Sequence, residues 1–214
     1  MKLNNDSAIK VAEFLLQIKA IKLEVANPFT WASGWKSPIY CDNRKTLSYP
    51  KIRTYICQQF VKIINEEFGV PDVIAGVATG GIAHGALVAQ DMGLPFVYVR
   101  QSEKSHGLEN VIEGVIESEQ SVVVIEDLIS TGGSSLKAVE ALRKAKCEVK
   151  GMAAIFTYSF PAADEAFKKA KCKVITLSNY ENLIRQAAKT GYVEEGDLMT
   201  LAEWRENPDK WGIV

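Results

Sequence analysis

The chain has 214 residues, 47% of them apolar and 24% charged, which is enough to bury the core of one α/β domain with a small appended hood. Its 25 basic and 26 acidic residues leave a net charge of −1, so nothing in the composition points to nucleic acid or a membrane surface as partner. No basic N-terminal stretch leads into a long apolar run, and no segment approaches the ~18 apolar residues that span a bilayer. Cys41, Cys57, Cys147 and Cys172 are widely spaced and form no C-x-x-C, which fits reduced thiols in a cytoplasmic protein. With only two histidines beside them, a transition-metal site is not expected.

A first helix is expected from a cap at Asp6 or Ser7, with Val11, Leu15, Ile18 and Lys22 on one stripe widened by Phe14 and Ile21. Residues 27–47 break the period and are rich in Pro, Gly, Ser and aromatics. Pro50 then opens a second helix, with Ile52, Ile56, Ile63 and Ile64 among its apolar positions and Gly69 as its stop. Residues 73–77 read as a short strand, followed by the loop 78–81 and a helix from about 82 to 92 that Gly93 ends. Residues 96–99 are the next strand, and 101–110 a polar loop without apolar period. Residues 111–117 read as one arm of a hairpin whose other arm is 122–125, with Glu119 and Gln120 near the turn. A helix from Ser134 to about Lys146, capped by Ser134 or Ser135, carries Leu136, Val139 and Leu142. Residues 149–156 and 174–177 are further strands, each followed by a helix. This alternation implies an α/β fold: an open, mostly parallel sheet flanked by helices, with right-handed crossovers. The hood would occupy about residues 1–48 and the core about 49–190.

The chemistry concentrates in residues 122–134. Val122, Val123, Val124 and Ile125 are four β-branched apolar residues in a row, as in a strand buried on both faces. Glu126 and Asp127 follow, then Ser130, Thr131, Gly132, Gly133 and Ser134 before the helix. Turn amides and the positive end of a helix bind a phosphate, and glycine lets the backbone approach it closely. The acids are then placed for sugar hydroxyls. An ordinary βα turn with a solvated acid pair is the plainer reading, but open α/β sheets bind ligands at the C-terminal ends of their strands. Neither G-x-x-x-x-G-K-[ST] nor a strand-following G-x-G-x-x-G is present, and the loop holds no lysine, which argues against an ATP-hydrolysing site.

Residues 126–134 resemble the phosphoribosyl-pyrophosphate (PRPP) signature of the type I phosphoribosyltransferases. The resemblance implies that Glu126 and Asp127 hold the ribose 2′ and 3′ hydroxyls, directly or through magnesium and water. It implies that Ser130, Thr131, Gly132, Gly133 and Ser134 wrap the 5′-phosphate, with Leu128 and Ile129 in the same binding stretch. Just upstream, Arg100, Lys104 and His106 lie within seven residues, next to Gly107. Such cationic donors on a flexible segment could close over a pyrophosphate leaving group and exclude water, although a solvated loop has similar composition. The spacing R-x-x-x-K-x-H-G resembles the catalytic loop of orotate phosphoribosyltransferases. There the three side chains contact pyrophosphate, and the loop reaches into the partner subunit's site. Gln101 stands where many members carry a lysine.

Two further stretches point the same way. Residues 29–44 contain S-G-x-K-S-P, which resembles the orotate enzymes specifically. Its aromatics could face a flat pyrimidine, with Lys36 and Arg44 available to a carboxylate; core packing or an interface would account equally for Trp31 and Trp35. Residues 76–84 resemble the family's pyrophosphate loop. Some members have a lysine where Gly80 stands, so only main-chain contacts carry over, and His84 reads as a structural or interface histidine. No arginine lies near Phe156 and Thr157, which shifts the grip on the substrate carboxylate to Lys36 and Ser130.

The resemblance therefore implies transfer of ribose 5-phosphate from PRPP to orotate, giving orotidine 5′-monophosphate and pyrophosphate in pyrimidine synthesis. Lys104, His106 and Asp127 would be catalytic. Mg2+ would be held mainly by the substrate pyrophosphate and water rather than by protein ligands. A cytoplasmic homodimer is expected, with loop 100–110 completing the neighbouring site. A sibling acting on uracil or a purine, and a ligand-sensing regulator bound to nucleic acid, are the alternatives; the balanced charge argues against the second.

Overall fold

The computed structural model describes residues 5–101 and 111–212. Helix α1 (Asn5–Gln17) buries Val11, Ala12, Leu15 and Leu16 and packs against the last sheet strand and the helix that follows it. It stops four residues short of Ile21. Lys19 turns the chain with φ of 52°, a value no helix can pass through, so the stripe expected to continue through Ile21 and Lys22 is broken. Residues Ile21–Leu23 instead form strand β1, with Ile21 still fully buried.

Residues 21–48, within the stretch expected to form the hood and called the hood below, are built from short pieces. β2 (Phe29–Thr30) pairs with β3 (Lys36–Ser37), and β4 (Ile39–Cys41) pairs antiparallel with β1. A 3-10 turn over Asn43–Ser48 leads into α2 (Pro50–Glu67), which Pro50 opens as expected from its fixed φ. Gly69, with φ of 67°, closes that helix.

The core then alternates: β5 (Val73–Val77), α3 (Gly80–Met92), β6 (Phe96–Val99), β7 (Ile112–Glu113), β8 (Ser121–Ile129), α4 (Gly133–Lys144), β9 (Glu148–Thr157), α5 (Pro161–Lys169), β10 (Val174–Asn179), α6 (Tyr180–Lys189) and α7 (Asp197–Glu206). The six strands order as β10-β9-β8-β5-β6-β7, parallel except for the β6–β7 pair. The hairpin expected between 111–117 and 122–125 does not form. Both edges of β8 are already taken by β5 and β9, and Ile112 pairs with Val99 of β6 instead. Gly114, at φ of 108°, ends β7 after two residues.

Period-2 alternation splits the apolar side chains between two layers. Ile74, Val123, Ile125, Ala153, Ile155 and Leu177 join α1, α2, α3 and α6 in one core. Val73, Ala75, Val97, Val122, Val124 and Ala154 join α4 and α5 in the other. Helix α7 has no counterpart in the apolar pattern, because it buries only Leu201 and Trp204. Trp204 is nonetheless fully enclosed, within 5.8 Å centroid to centroid of Trp31, Tyr158, Phe160 and Tyr180. This side chain ties the C-terminal helix to the hood and to the segment that leaves β9. Trp204→Ala is expected to cost about 3–5 kcal/mol in urea unfolding, and Trp204→Phe distinctly less. Equal midpoints for Trp204→Ala and the parent would show that α7 does not need this anchor.

Candidate active site

The site follows from unequal strand lengths. β8 pairs with β5 only from Val122 to Ile125, but stays paired with β9 as far as Ile129. The strand therefore runs past the expected end at residue 125, and Glu126 and Asp127 lie on the overhang. Glu126 is buried: its Oε1 accepts the Asp127 amide at 3.0 Å and its Oε2 the Ser135 hydroxyl at 2.9 Å. The N-terminus of α3 closes the space beside it. A Cβ on Gly80 would lie 2.2–2.4 Å from the Asp127 carboxylate, and one on Gly81 would lie 2.3 Å from the Ile125 carbonyl oxygen. Side chains at either position would drive the helix off the acid pair. On the other side, Gly132 turns the chain with φ of 84° and opens α4 as its cap. Neither Ser134 nor Ser135 caps this helix, contrary to expectation, because Ser135 is inside it and spends its hydroxyl on Glu126. With no side-chain cap, the first amides of α4 are left for an anion. A cleft of about 410 Å³ results, walled by residues 130–134, the acid pair, residues 78–80, Gln101, and Cys41, Asp42 and Arg44 from the hood.

The family profile described as a phosphoribosyl transferase domain matches residues 49–194. An orotate phosphoribosyltransferase of Bacteroides thetaiotaomicron is 62% identical over 200 residues, which covers 94% of each chain. This chain belongs to the orotate phosphoribosyltransferase family. The orotate phosphoribosyltransferase of Porphyromonas gingivalis is 58% identical over 203 residues, or 95% of this chain and 97% of its own. Among solved structures, the orotate phosphoribosyltransferase from Aeropyrum pernix aligns with a TM-score of 0.74 at 24% identity, covering 86% of this chain and 99% of that one. At that identity the likeness is one of fold, and it agrees with the mostly parallel, helix-flanked sheet.

Of the residues singled out by the orotate phosphoribosyltransferase resemblance, Glu126, Asp127, Leu128, Ser130, Thr131, Gly132, Gly133 and Ser134 all line the cleft. Ile129 does not; its side chain is buried in the core under α4 and α5. Arg100 leaves β6 with its Nε 3.0 Å from Glu113 Oε1 and is not among the lining residues, whereas the adjacent Gln101 is, donating to the Ala78 carbonyl at 3.1 Å. Lys36 is exposed on β3, where its Nζ donates to Thr30 Oγ1 at 2.8 Å, outside the cleft wall. Lys104 and His106 lie outside the described residues. Trp31 packs against Tyr158 at 5.1 Å and donates its Nε1 to the Ile39 carbonyl, so it belongs to the hood's own packing. His84 is fully buried, with Nε2 2.9 Å from Thr46 Oγ1; burial, reinforced by the Arg53 charge, lowers its pKa to about 4. The sequence reading placed neither Cys41 nor Asp42 in the site, although both belong to the end of β4 and the turn after it. Asp42 accepts from Arg44 Nε at 2.7 Å, the pairing that the sequence offers as the plainer account of Arg44.

Burial pushes the Glu126 carboxyl well above the usual glutamate range, and the Asp127 charge pushes it the same way. Burial raises Asp127 as well. The native state therefore holds these protons more tightly than the unfolded chain does. From about pH 4, where unfolded carboxylates ionise, up to the raised native values, the unfolded chain carries fewer protons, so stability falls as pH rises. Glu126→Gln deletes that ionisation and keeps an oxygen for the Asp127 amide. The variant is expected to unfold at higher urea than the parent at pH 7, with the gap closing near about pH 4. Coincident midpoints at pH 7 would show that ionising Glu126 costs the fold nothing.

Proposed function

We propose that this cleft binds PRPP beside orotate and transfers ribose 5-phosphate to the pyrimidine nitrogen, releasing pyrophosphate and orotidine 5′-monophosphate in pyrimidine synthesis. One observation carries the reading: an acid pair on a strand overhang faces the uncapped start of α4 across a single cleft. A sugar bearing a phosphate needs that pairing of acceptor oxygens with free amides. Glu126 and Asp127 hold the ribose hydroxyls, and the amides and hydroxyls of residues 130–134 hold the 5′-phosphate. Main-chain amides at Thr79, Gly80 and Gly81 face the leaving pyrophosphate. Arg100, Lys104 and His106 complete its charge neutralisation from the loop 100–110. Ser130 receives orotate, and Lys36 joins it only once its ammonium leaves Thr30 Oγ1 outside the cleft wall; Arg44, the one Lys or Arg among the described lining residues, adds positive charge on the hood side.

Positive charge develops on the ribose as the bond to pyrophosphate breaks, and the role given to Asp127 is to steady that charge from the cleft wall. The nucleophile is the substrate nitrogen, so no protein nucleophile is required; positioning and exclusion of water are the protein's main work. The fit to magnesium is that of a visiting ion. Among the described residues no group of three or more His, Cys, Asp or Glu could hold a metal, while the Glu126–Asp127 carboxylates offer hard oxygen donors. Mg2+ would arrive with the pyrophosphate and water and supply charge neutralisation on the departing group. We place the protein in the cytoplasm, a reading supported by four cysteines that are all free thiols. No helix among the described residues is long and apolar enough to cross a membrane.

The direct test is loss of orotate absorbance on adding PRPP. It is expected with Mg2+ and abolished by EDTA, and pyrophosphate release is expected to be faster with orotate than with uracil or adenine at equal concentration. Preference for another base would overturn the choice of substrate. Asp127→Asn is expected to lower kcat by about 10²-fold or more. Undiminished turnover would remove Asp127 from the chemistry. If the loop 100–110 serves the neighbouring subunit of a homodimer, mixing inactive Lys104→Ala and Asp127→Asn chains should restore about a quarter of parent activity, since half of random dimers then carry one intact site. No recovery would mean self-contained sites.

A further inference from the structure

Beyond Ile125, where its pairing with β5 ends, the overhang of β8 loses its strand partner on that side. Two residues further on, the Asp127 carbonyl accepts a hydrogen bond from the Asn43 side-chain amide at 2.6 Å, across 84 positions of chain. Asn43 is fully buried, and the orientation of its amide is fixed at the other end, where Cys41 Sγ donates to Oδ1 at 3.3 Å. Its main-chain carbonyl accepts the hydroxyl of Thr46, which is also fully buried. That donation uses the only proton of the Thr46 hydroxyl. The 2.9 Å contact with His84 must then run the other way, from His84 Nε2–H to Thr46 Oγ1. His84 is thereby set as the neutral Nε2-protonated tautomer, and its bare Nδ1 has no partner among the described residues. A continuous buried chain runs from α3 through the 3-10 turn to the backbone of Asp127. The acid is held from two directions, at its carbonyl by Asn43 and beside its carboxylate by Gly80.

We propose that Asn43 is a positioning residue for Asp127, kept in register by the Thr46–His84 pair, so that the hood sets where this acid stands over the ribose. The proposal rests on the role given to Asp127 above. A side chain that only stabilised the hood would affect Asp127 and every other site residue alike. A positioning residue matters only while Asp127 has a carboxylate to place.

The test is a double-mutant cycle on kcat, read by single-turnover consumption of orotate at saturating PRPP. Asn43→Ala is expected to lower kcat by about tenfold or more in the parent, with KM for orotate little changed. In the Asp127→Ala background the same substitution should change kcat by less than about twofold. Thr46→Val, which keeps the side-chain volume, should move kcat in the same direction and show the same dependence on Asp127, while Thr46→Ser restores parent turnover. If Asn43→Ala proves too unstable to measure, the Thr46 pair decides alone. Equal losses in both backgrounds, or a folded Thr46→Val chain at parent turnover, would overturn the positioning role while leaving Asp127 in the chemistry. Parent turnover in Asp127→Ala would overturn both readings together.

Discussion

A parallel sheet whose central strand outruns one neighbour has to satisfy the extra backbone some other way, and that requirement shapes this molecule. β8 continues past Ile125 on the strength of its pairing with β9 alone. The vacated side is filled by the N-terminus of α3 and by the 3-10 turn of the hood. Glu126 and Asp127 are therefore walled in by helix and hood rather than left on an open edge. Their burial raises both carboxyls, which makes them poor company for each other and good hosts for hydroxyl donors. Two glycines let the helix come that close, and Ser135 gives up any capping role to serve Glu126.

Stability and binding pull in opposite directions here. Two adjacent, partly desolvated acids cost the empty fold something at neutral pH, and the second core under α4 and α5 together with the aromatic cluster around Trp204 must offset it. The role proposed for the acids in binding a sugar gives that cost a chemical reason.

Where local physics decides structure, the residues announced it. The run 122–125 could only be a doubly buried strand, Pro50 and Gly69 bracketed α2, and Gly93 in the left-handed region stopped α3. The glycine-turn wall of the cleft, residues 130–134, was legible for the same reason, since its residues are contiguous. What escaped was tertiary. Nothing near Lys19 signals a positive φ, so the α1 stripe looked longer than it is. The hairpin failed because both edges of β8 were claimed by strands distant in sequence. Helix α7 buries two side chains only, too few to leave a period. Asn43 reaches Asp127 across 84 positions, a contact that no spacing rule anticipates.

The distribution of indoles has a practical side. Trp31 and Trp211 pack on the hood-side core, Trp204 is inside it, and Trp35 stacks on Trp31 at 6.3 Å. The opposite core, beneath α4 and α5, contains no tryptophan. Intrinsic emission is thus a one-sided reporter, bright to loosening around the C-terminal helix and dark to fraying of the rear layer. Spectroscopists comparing its melting curve with far-ultraviolet dichroism would see the two halves of the molecule separately, should they ever part company.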